Sequence, residues 1–240
     1  MTSIERVRIM VLGDSGVGKT SFVHLAANNE PLKSPSWTIG CSVEVKLHAF
    51  KEGTKDQKTF FVEFWDIGGS KNHRNARQVF YKPCHGAIFV HDLTNRKSEK
   101  NLNKWLKELL YHDKPEEKNK VLWSPRKETE EEIMDAENLF GANNLMPILI
   151  VGTKLDQVDE KRPSSTSNSF RVKYNAEEIL LDCRQARYLA AGTSNSVKLS
   201  RFYDKVIENR QLDNGRGSAG RYGHTISPLY SSKFYLSHQD

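Results

Sequence analysis

The sequence predicts an α/β fold in which helices flank a mixed, mostly parallel sheet of six strands. Short apolar runs with the length of buried strands alternate along the chain with segments of helical spacing. A glycine-rich stretch at residues 13–20 separates the first apolar run from the first predicted helix. Apolar residues make up 37% of the 240-residue chain, which is enough to build a core. We therefore expect one domain over residues 1–210 and a flexible tail over residues 211–240.

Each predicted element follows from a local pattern. Apolar or alternating runs predict the six strands at residues 7–12, 43–49, 59–65, 87–90, 147–152 and 178–181. The second and third strands are expected to form an antiparallel hairpin around a polar turn. Helical spacing predicts helices at residues 21–28, at residues 102–110 with Ser98 as N-cap, and at residues 195–210. The last helix is expected to bury Val197, Phe202, Tyr203, Val206 and Ile207, and residues 160–175 are expected to form a polar loop.

Residues 113–146 interrupt the alternation of strands and helices. This stretch holds nine acidic and five basic residues, and we interpret it as a long acidic insertion. Two interpretations stay open: a disordered or solvated segment, or a partner-binding segment. The first is the more usual for such a segment, and the apolar side chains of Trp123, Ile133, Leu139 and Phe140 keep the second open.

Residues 13–20 have the spacing G-x-x-x-x-G-K-[ST], which is typical of a phosphate-binding loop between a strand and a helix. Glycines let the backbone approach phosphates closely, and successive N–H groups then form an anion-binding nest. Lys19 is expected to reach the β- and γ-phosphates, and the Thr20 hydroxyl is expected to bind Mg²⁺. The residues expected to contact the nucleotide here are Asp14, Ser15, Gly16, Val17, Gly18, Lys19, Thr20 and Ser21.

Two later segments carry the other groups that phosphoryl transfer needs. Asp66 ends the third strand, where its carboxylate is expected to hold Mg²⁺ through a bound water. Thr38 follows Thr20 by 18 residues on a polar loop, and its hydroxyl is expected to complete the Mg²⁺ coordination. Gly69 has no side chain to block its N–H, which is expected to approach the γ-phosphate. Residues 70–78 are polar and are predicted to be partly helical.

The segment Thr153-Lys154-Leu155-Asp156 follows the fifth strand and predicts recognition of guanine. The Asp156 carboxylate can accept hydrogen bonds from the guanine N1–H and exocyclic amine, whereas adenine offers no such donor pair. The stem of Lys154 is expected to lie over the base, with Leu155 beside it. A T-K-x-D pattern alone is weak, but here it follows a phosphate-binding loop and a D-x-x-G segment in that order.

Composition argues against several other classes of protein. Lys and Arg exceed Asp and Glu by 36 − 30 = 6, but no dense basic run or aromatic–basic repeat indicates a nucleic-acid partner. Three scattered cysteines form no C-x-x-C pair, which favours a reducing compartment over a zinc or disulfide framework. No apolar run approaches the roughly 18 residues that span a bilayer, and no C-terminal cysteine offers a direct lipid anchor. We expect a cytoplasmic protein that reaches membranes only through partners.

Taken together, these motifs resemble the Ras superfamily of small GTPases, and within it the Rab branch. The segments that carry the resemblance are residues 13–20, 35–40, 64–70, 85–95, 152–157, 188–192 and 197–202. They cover the chain from residue 4 to residue 210. The resemblance implies the small-GTPase fold, bound GTP or GDP with Mg²⁺, and protein effectors.

The sequence departs from the pattern of this superfamily at three places. Ser70 stands where most members carry the glutamine that orients the attacking water, so we expect slow hydrolysis with Gly69 and Ser70 as the catalytic positions. Pro31 replaces an aromatic residue that many relatives place against guanine, which predicts weaker binding or faster exchange of the nucleotide. The last base-binding motif, S-A-K, is represented by residues 182–184 or by residues 190–192. We favour Asp182 and Cys183, because the preceding strand leads into them.

Two functions from different classes fit this sequence. One is a switch in which GTP orders Thr38 and residues 69–78; the other is a nucleotide-locked scaffold with little hydrolysis or switching. The resemblance implies effectors or chaperones of prenylated small GTPases as partners, hence a role in prenylation and signalling, and a homodimer is also expected. Trp37 is expected either to contact effectors or to pack on the hairpin. His73 is expected either to orient water or to be an inert surface residue.

Overall fold

The structure is a computed structural model that describes residues 4–111, 146–158 and 169–215. The expectations for residues 113–145 and 216–240 therefore lie outside the described residues. The strands are β1 (Glu5–Leu12), β2 (Cys41–Phe50), β3 (Lys58–Ile67), β4 (Gly86–Asp92), β5 (Ile148–Thr153) and β6 (Glu177–Leu180). The α-helices are α1 (Lys19–Asn28), α2 (Arg74–Arg77), α3 (Arg96–Lys100), α4 (Leu102–Tyr111), α5 (Ser169–Lys173) and α6 (Ser194–Gly215). Short 3₁₀ helices cover Lys71–His73, Gln78–Phe80, Leu155–Gln157 and Ala186–Leu189.

These strands form one sheet in the order β2-β3-β1-β4-β5-β6. β2 and β3 make an antiparallel hairpin that pairs Cys41 with Ile67, whereas the other four pairings are parallel. Parallel neighbours need crossover connections, which the helices supply. The structure confirms the predicted α/β fold with a mixed, mostly parallel six-stranded sheet. Within the described part of the chain, no helix combines the length and the apolar composition that crossing a membrane requires.

Helices cover both faces of the sheet, so the core has two layers. Successive side chains of β1 alternate between the faces, and both Ile9 and Met10 are fully buried. The layer under α1 and α6 contains Ile9, Phe22, Leu25, Phe202, Val206 and Ile207. The layer under α4 and α5 contains Met10, Phe89, Trp105, Leu106, Leu109 and Phe170.

The prediction that Ser98 caps the helix at residues 102–110 is wrong. The chain forms two helices there, and the first begins after Asn95, whose side-chain oxygen accepts a hydrogen bond from the Lys97 N–H. Ser98 is fully buried inside that helix, and its hydroxyl donates to the Asn95 carbonyl at 2.7 Å. An asparagine that ends a turn is as good an N-cap as serine, so local pattern alone could not separate the two positions.

Three other boundaries differ from the prediction. Residues 169–173 form α5 instead of a loop, because Phe170 is buried against the sheet. Val197 is 47% exposed, since the buried positions of α6 begin at Leu199 and lie about 200° around the helix from it. α6 also continues to Gly215, so residues 211–215 belong to the helix and not to a tail.

The packing of α5 predicts a large loss of stability for Phe170→Ala, of about 3–5 kcal/mol in the free energy of unfolding. The Phe170 ring is 2% exposed and meets Phe89 edge-on at a centroid distance of 5.3 Å. Denaturant unfolding measures this loss. Val172→Ala is the matched control on the same helix, because Val172 is 71% exposed; its effect should stay within about 0.5 kcal/mol. Equal losses in the two variants would contradict this packing.

Candidate functional site

The carboxyl ends of the parallel strands bring four loops to one edge of the sheet. They follow β1, β3, β5 and β6, and they contain nearly all residues that the motifs single out. The loops touch one another: the Leu155 N–H donates to the Leu181 carbonyl at 3.3 Å, and the Thr153 hydroxyl at the end of β5 donates to the Val17 carbonyl of the phosphate-binding loop at 2.5 Å. In open α/β sheets this edge is the usual place for ligands.

The phosphate-binding loop is held in shape from inside by Lys19. Its ammonium donates to the carbonyls of Gly13 and Asp14 at 2.9 and 2.8 Å. Gly13 needs to be glycine because a Cβ there would lie 2.2 Å from the Val90 carbonyl oxygen of β4. Lys19 is 6% exposed, and burial lowers the pKa of its ammonium to about 8. The loop thus presents an amine at the first turn of α1 that phosphate oxygens would hold in the charged form.

Three oxygen-bearing side chains predicted to hold Mg²⁺ converge beside this loop. The Thr20 hydroxyl donates to Asp66 Oδ2 at 2.6 Å, and the Thr38 hydroxyl donates to the same oxygen at 3.0 Å. The two hydroxyl oxygens are 2.9 Å apart. Burial raises the pKa of Asp66, although the hydrogen bonds from the two threonines oppose that shift.

The second carboxylate oxygen of Asp66 tests whether a cation fits. Asp66 is 1% exposed, and its Oδ1 is buried without a hydrogen-bond partner among the described residues. A buried carboxylate oxygen without a donor is costly unless a cation or a bound water reaches it. Together with two hydroxyl groups it forms a set of hard oxygen donors of the kind Mg²⁺ prefers. Thr20, Thr38 and Asp66 would therefore hold the ion, whose charge offsets that of the phosphates.

Gly69 lies directly on the phosphate-binding loop. A Cβ on Gly69 would stand 2.5 Å from the Ser15 nitrogen and 2.8 Å from the Gly13 carbonyl oxygen, so only glycine fits. The next residue, Ser70, precedes the 3₁₀ helix Lys71–His73, and its side chain makes no capping hydrogen bond there. The carbonyl of Ser70 accepts a hydrogen bond from Arg77 Nη1 at 2.6 Å. His73 is exposed.

The loops after β5 and β6 form the candidate base site. Lys154 takes a left-handed backbone conformation with φ 58°, which turns the chain after β5. Its ammonium donates to Asp92 Oδ2 at 2.7 Å. Burial disfavours the Asp92 carboxylate, but hydrogen bonds from Lys154 and Thr94 outweigh this and lower its pKa. The stem of Lys154 is thereby fixed across the edge of the sheet.

Residues 182–184 lie beside Asp156, as favoured for the last base-binding motif. The Arg184 guanidinium pairs with Asp156 and also donates to Asp182 Oδ1, at 3.3 Å. Asp182 is 2% exposed; burial raises its pKa, but the Arg184 N–H and the Gln185 amide outweigh that and lower it. Cys183 is also buried. The rival segment at 190–192 instead closes an exposed turn, in which the Thr193 N–H donates to the Ala190 carbonyl at 3.1 Å.

Some residues at this edge escaped the sequence analysis. Asp92 ends an apolar strand just as Asp66 does, so that signal was present. Asn101 and Trp105 were also missed; they donate hydrogen bonds at 2.7 and 2.9 Å to the side chain of Asp14, which points away from the loop. These hydrogen-bond partners lie far apart in sequence, so no local sequence pattern predicts their contact.

Comparison with known proteins identifies the family. A family model described as "Ras of Complex, Roc, domain of DAPkinase" matches residues 8–123. Rab-like protein 3 of Homo sapiens is 48% identical over 217 residues, 88% of each chain. This chain belongs to the Rab-like protein 3 family. The Xenopus tropicalis member is 48% identical over 222 residues, 90% of each chain, and the Danio rerio member is 47% identical over 217 residues, 88% of this chain and 89% of its own.

Membership of the family implies which class of ligand to expect at this edge of the sheet. The Rab-like protein 3 family consists of Rab-like small GTPases, and membership implies guanine-nucleotide binding, usually with Mg²⁺. The predicted phosphate, metal and base positions all lie at one edge, so the arrangement agrees with that implication.

The buried amine of Lys19 predicts that nucleotide affinity depends on pH. Burial lowers the Lys19 pKa to about 8 in the free protein, and bound phosphates would raise it. Binding therefore takes up a proton above pH 8, and affinity should fall by up to about tenfold per pH unit. Calorimetric titration with GDP between about pH 7 and about pH 9 measures this change. Lys19→Arg keeps its charge and should bind with little pH dependence; a wild-type affinity that is flat with pH would contradict the argument.

Proposed function

We propose that this protein is a GTP-binding regulator with weak intrinsic GTPase activity. The observation that carries the proposal is the convergence of Thr20, Thr38 and Asp66, with the partnerless Asp66 Oδ1, beside the phosphate-binding loop. Two features support guanine as the base: the Asp156 carboxylate lies just after the end of β5, and Asp92 holds Lys154 beside it. In this proposal Asp14 to Ser21 bind the phosphates, and Lys154, Leu155, Asp156, Asp182 and Cys183 surround the base.

A substitution at Asp156 tests which base the site recognises. Asp156→Asn replaces an acceptor with an amide, which can donate to the 2-carbonyl of xanthine but loses the pair of bonds to guanine. We expect GTP affinity to fall by at least about tenfold and xanthosine triphosphate affinity to rise. Competition against a fluorescent GDP analogue measures both. Asp204→Asn, on α6, removes a carboxylate that pairs with His48 and should change neither. An unchanged base preference in Asp156→Asn would contradict guanine recognition.

Weak hydrolysis follows from the side chain at position 70. Serine is too short to orient a water as a glutamine does, and family members that carry glutamine already hydrolyse GTP at only about 10⁻⁴ s⁻¹ unaided. The backbone carbonyl of Ser70 accepts a hydrogen bond from Arg77, and the serine side chain offers only its short hydroxyl to a water. Gly69 contributes its N–H. We infer a protein that holds GTP for long periods unless a partner supplies the missing group.

Restoring the glutamine tests this account of hydrolysis. Ser70→Gln is expected to raise the single-turnover rate of GTP hydrolysis by at least about tenfold, because the amide can position a water. Lys71→Gln, at the neighbouring exposed residue, places the same side chain one position further on and should leave the rate unchanged. If Ser70→Gln hydrolyses GTP no faster than the wild-type protein, position 70 does not limit the reaction.

The proposed partners are effectors or chaperones of prenylated small GTPases, met in the cytoplasm. Trp37 and Ile39 flank Thr38 and are 85% and 82% exposed, so this loop presents apolar surface and Trp37 does not pack on the hairpin. A partner that binds to this loop would bind differently when Thr38 is ordered and when it is not. Failure of both GDP- and GTP-loaded protein to retain a prenylation chaperone would count against these partners. A homodimer is also proposed, and light scattering that gives a monomer mass would contradict it.

A second function, a nucleotide-locked scaffold, is favoured by one observation. Arg77 donates to the carbonyls of Gly68 and Ser70, so the segment after Asp66 is tied down by a buried side chain. A segment that is held in this way changes its conformation little when the γ-phosphate is lost. If switching were absent altogether, hydrogen exchange at residues 31–40 would be the same with GDP and with GTP.

A further inference from the structure

A buried ion pair joins the segment after β3 to helix α4. We call Arg77, Tyr81 and Glu108 the clamp. Arg77 Nε and Nη2 donate to the two oxygens of Glu108 at 2.6 and 2.8 Å, and the Tyr81 hydroxyl donates to Glu108 Oε1 at 2.6 Å. Arg77 and Tyr81 are each 1% exposed, and Glu108 is fully buried. Such a fork-to-fork pair fixes the orientation of both side chains as well as their separation.

The surroundings of the clamp keep its charges in place. Burial opposes a charged Arg77, but the hydrogen bonds and the negative charge of Glu108 outweigh this and raise the pKa of Arg77. Burial and the Glu108 charge likewise raise the pKa of Tyr81, so its hydroxyl stays a donor. The guanidinium of Arg77 also stacks on Trp105, 4.4 Å from the ring centroid. Removing Glu108 would leave Arg77 buried without this carboxylate, whereas removing Arg77 would leave Glu108 with Arg74, whose Nε lies 3.6 Å from Glu108 Oε2.

The third nitrogen of the Arg77 guanidinium, Nη1, binds backbone carbonyls at the edge of the sheet where the nucleotide site is proposed. Nη1 donates to the Ser70 carbonyl at 2.6 Å and approaches the Gly68 carbonyl at 3.4 Å. These carbonyls bracket Gly69, which lies against the phosphate-binding loop. Arg77 therefore fixes the residue whose N–H is proposed to meet the γ-phosphate.

The same helix is tied to the phosphate-binding loop at a second point. Asp14 accepts hydrogen bonds from Asn101 and from the Trp105 indole, and Trp105 is the ring on which Arg77 stacks. The loop, the start of α4 and the clamp thus form one connected set of buried polar contacts. The segment on either side of Thr38 is different, because residues 33–37 and 39 are exposed.

We propose that Arg77 is a positioning residue that holds Gly68 to Ser70 against the phosphate-binding loop in both the GDP and the GTP state. This inference depends on the proposed function, since it concerns the same nucleotide site. Loss of the γ-phosphate then frees the segment around Thr38 but not the segment around Gly69. A partner reads the nucleotide state through residues 31–40.

Hydrogen exchange on nucleotide-loaded full-length protein tests the clamp. In the wild-type protein, peptides covering residues 68–78 should exchange at the same rate, within about twofold, with GDP and with a non-hydrolysable GTP analogue. Peptides covering residues 31–40 should exchange at least about tenfold faster with GDP. This comparison needs no variant. A difference of about tenfold between the two states at residues 68–78 would overturn the proposal.

A double variant separates positioning from general stability. Arg77→Met with Glu108→Leu removes both charges together, which cores tolerate better than the loss of one. With GDP, residues 68–78 should exchange at least about tenfold faster than in the wild-type protein, whereas with the GTP analogue they should stay near the wild-type rate. A merely structural role would speed exchange equally in both states, and that result would contradict the proposal. His48→Gln, which breaks the pair with Asp204 on α6 at 2.8 Å, is the matched control and should change neither.

Different results would contradict the proposed function and the role of the clamp. A purified protein that binds no guanine nucleotide contradicts the proposed function, and the clamp inference falls with it. A protein that binds GDP and GTP but releases residues 68–78 with GDP contradicts the clamp alone.

Discussion

The parallel pairing of β1 with β3 and β4 is the constraint on which the whole arrangement depends. In the β1–β3 register Val11 lies opposite Asp66, so the Asp66 carboxylate is carried to the start of the phosphate-binding loop. In the β4–β5 register Asp92 lies opposite Thr153, which sets Lys154 within reach of Asp92. Side chains that are separated by tens of residues in sequence meet because their strands end at one edge.

Polar groups at this edge already have hydrogen-bond partners that hold them in place before any ligand arrives. Lys19 donates to the carbonyls of its own loop, and Lys154 donates to Asp92. A preorganised site avoids reorganisation when charge is bound. The exception is Asp66 Oδ1, which has no partner among the described residues. This buried carboxylate oxygen is therefore an atom that a divalent cation would satisfy.

Much of this fold and site follows from local sequence patterns, and the failures have physical causes. Apolar runs predicted the six strands. The motifs that contain Gly13, Lys19, Asp66 and Asp156 predicted which residues would lie together at one edge of the sheet. The five-residue helix α5 was missed because burial of Phe170, and not its short sequence, stabilises it. The Arg77–Glu108 pair joins residues 31 positions apart and leaves no periodic signal. Ser98 and Asn95 are both good caps, and only tertiary packing decides between them.

Whether this edge of the sheet binds a guanine nucleotide is tested most directly by the ligand that the protein retains during purification. The protein is purified without added nucleotide and denatured, and the released nucleotide is identified and quantified by chromatography. We expect guanine nucleotide at roughly one per chain, with a share of GTP that reflects the short side chain of Ser70. Adenine nucleotide, or none at all, would contradict the assignment of Asp156 and Lys154 to a guanine base.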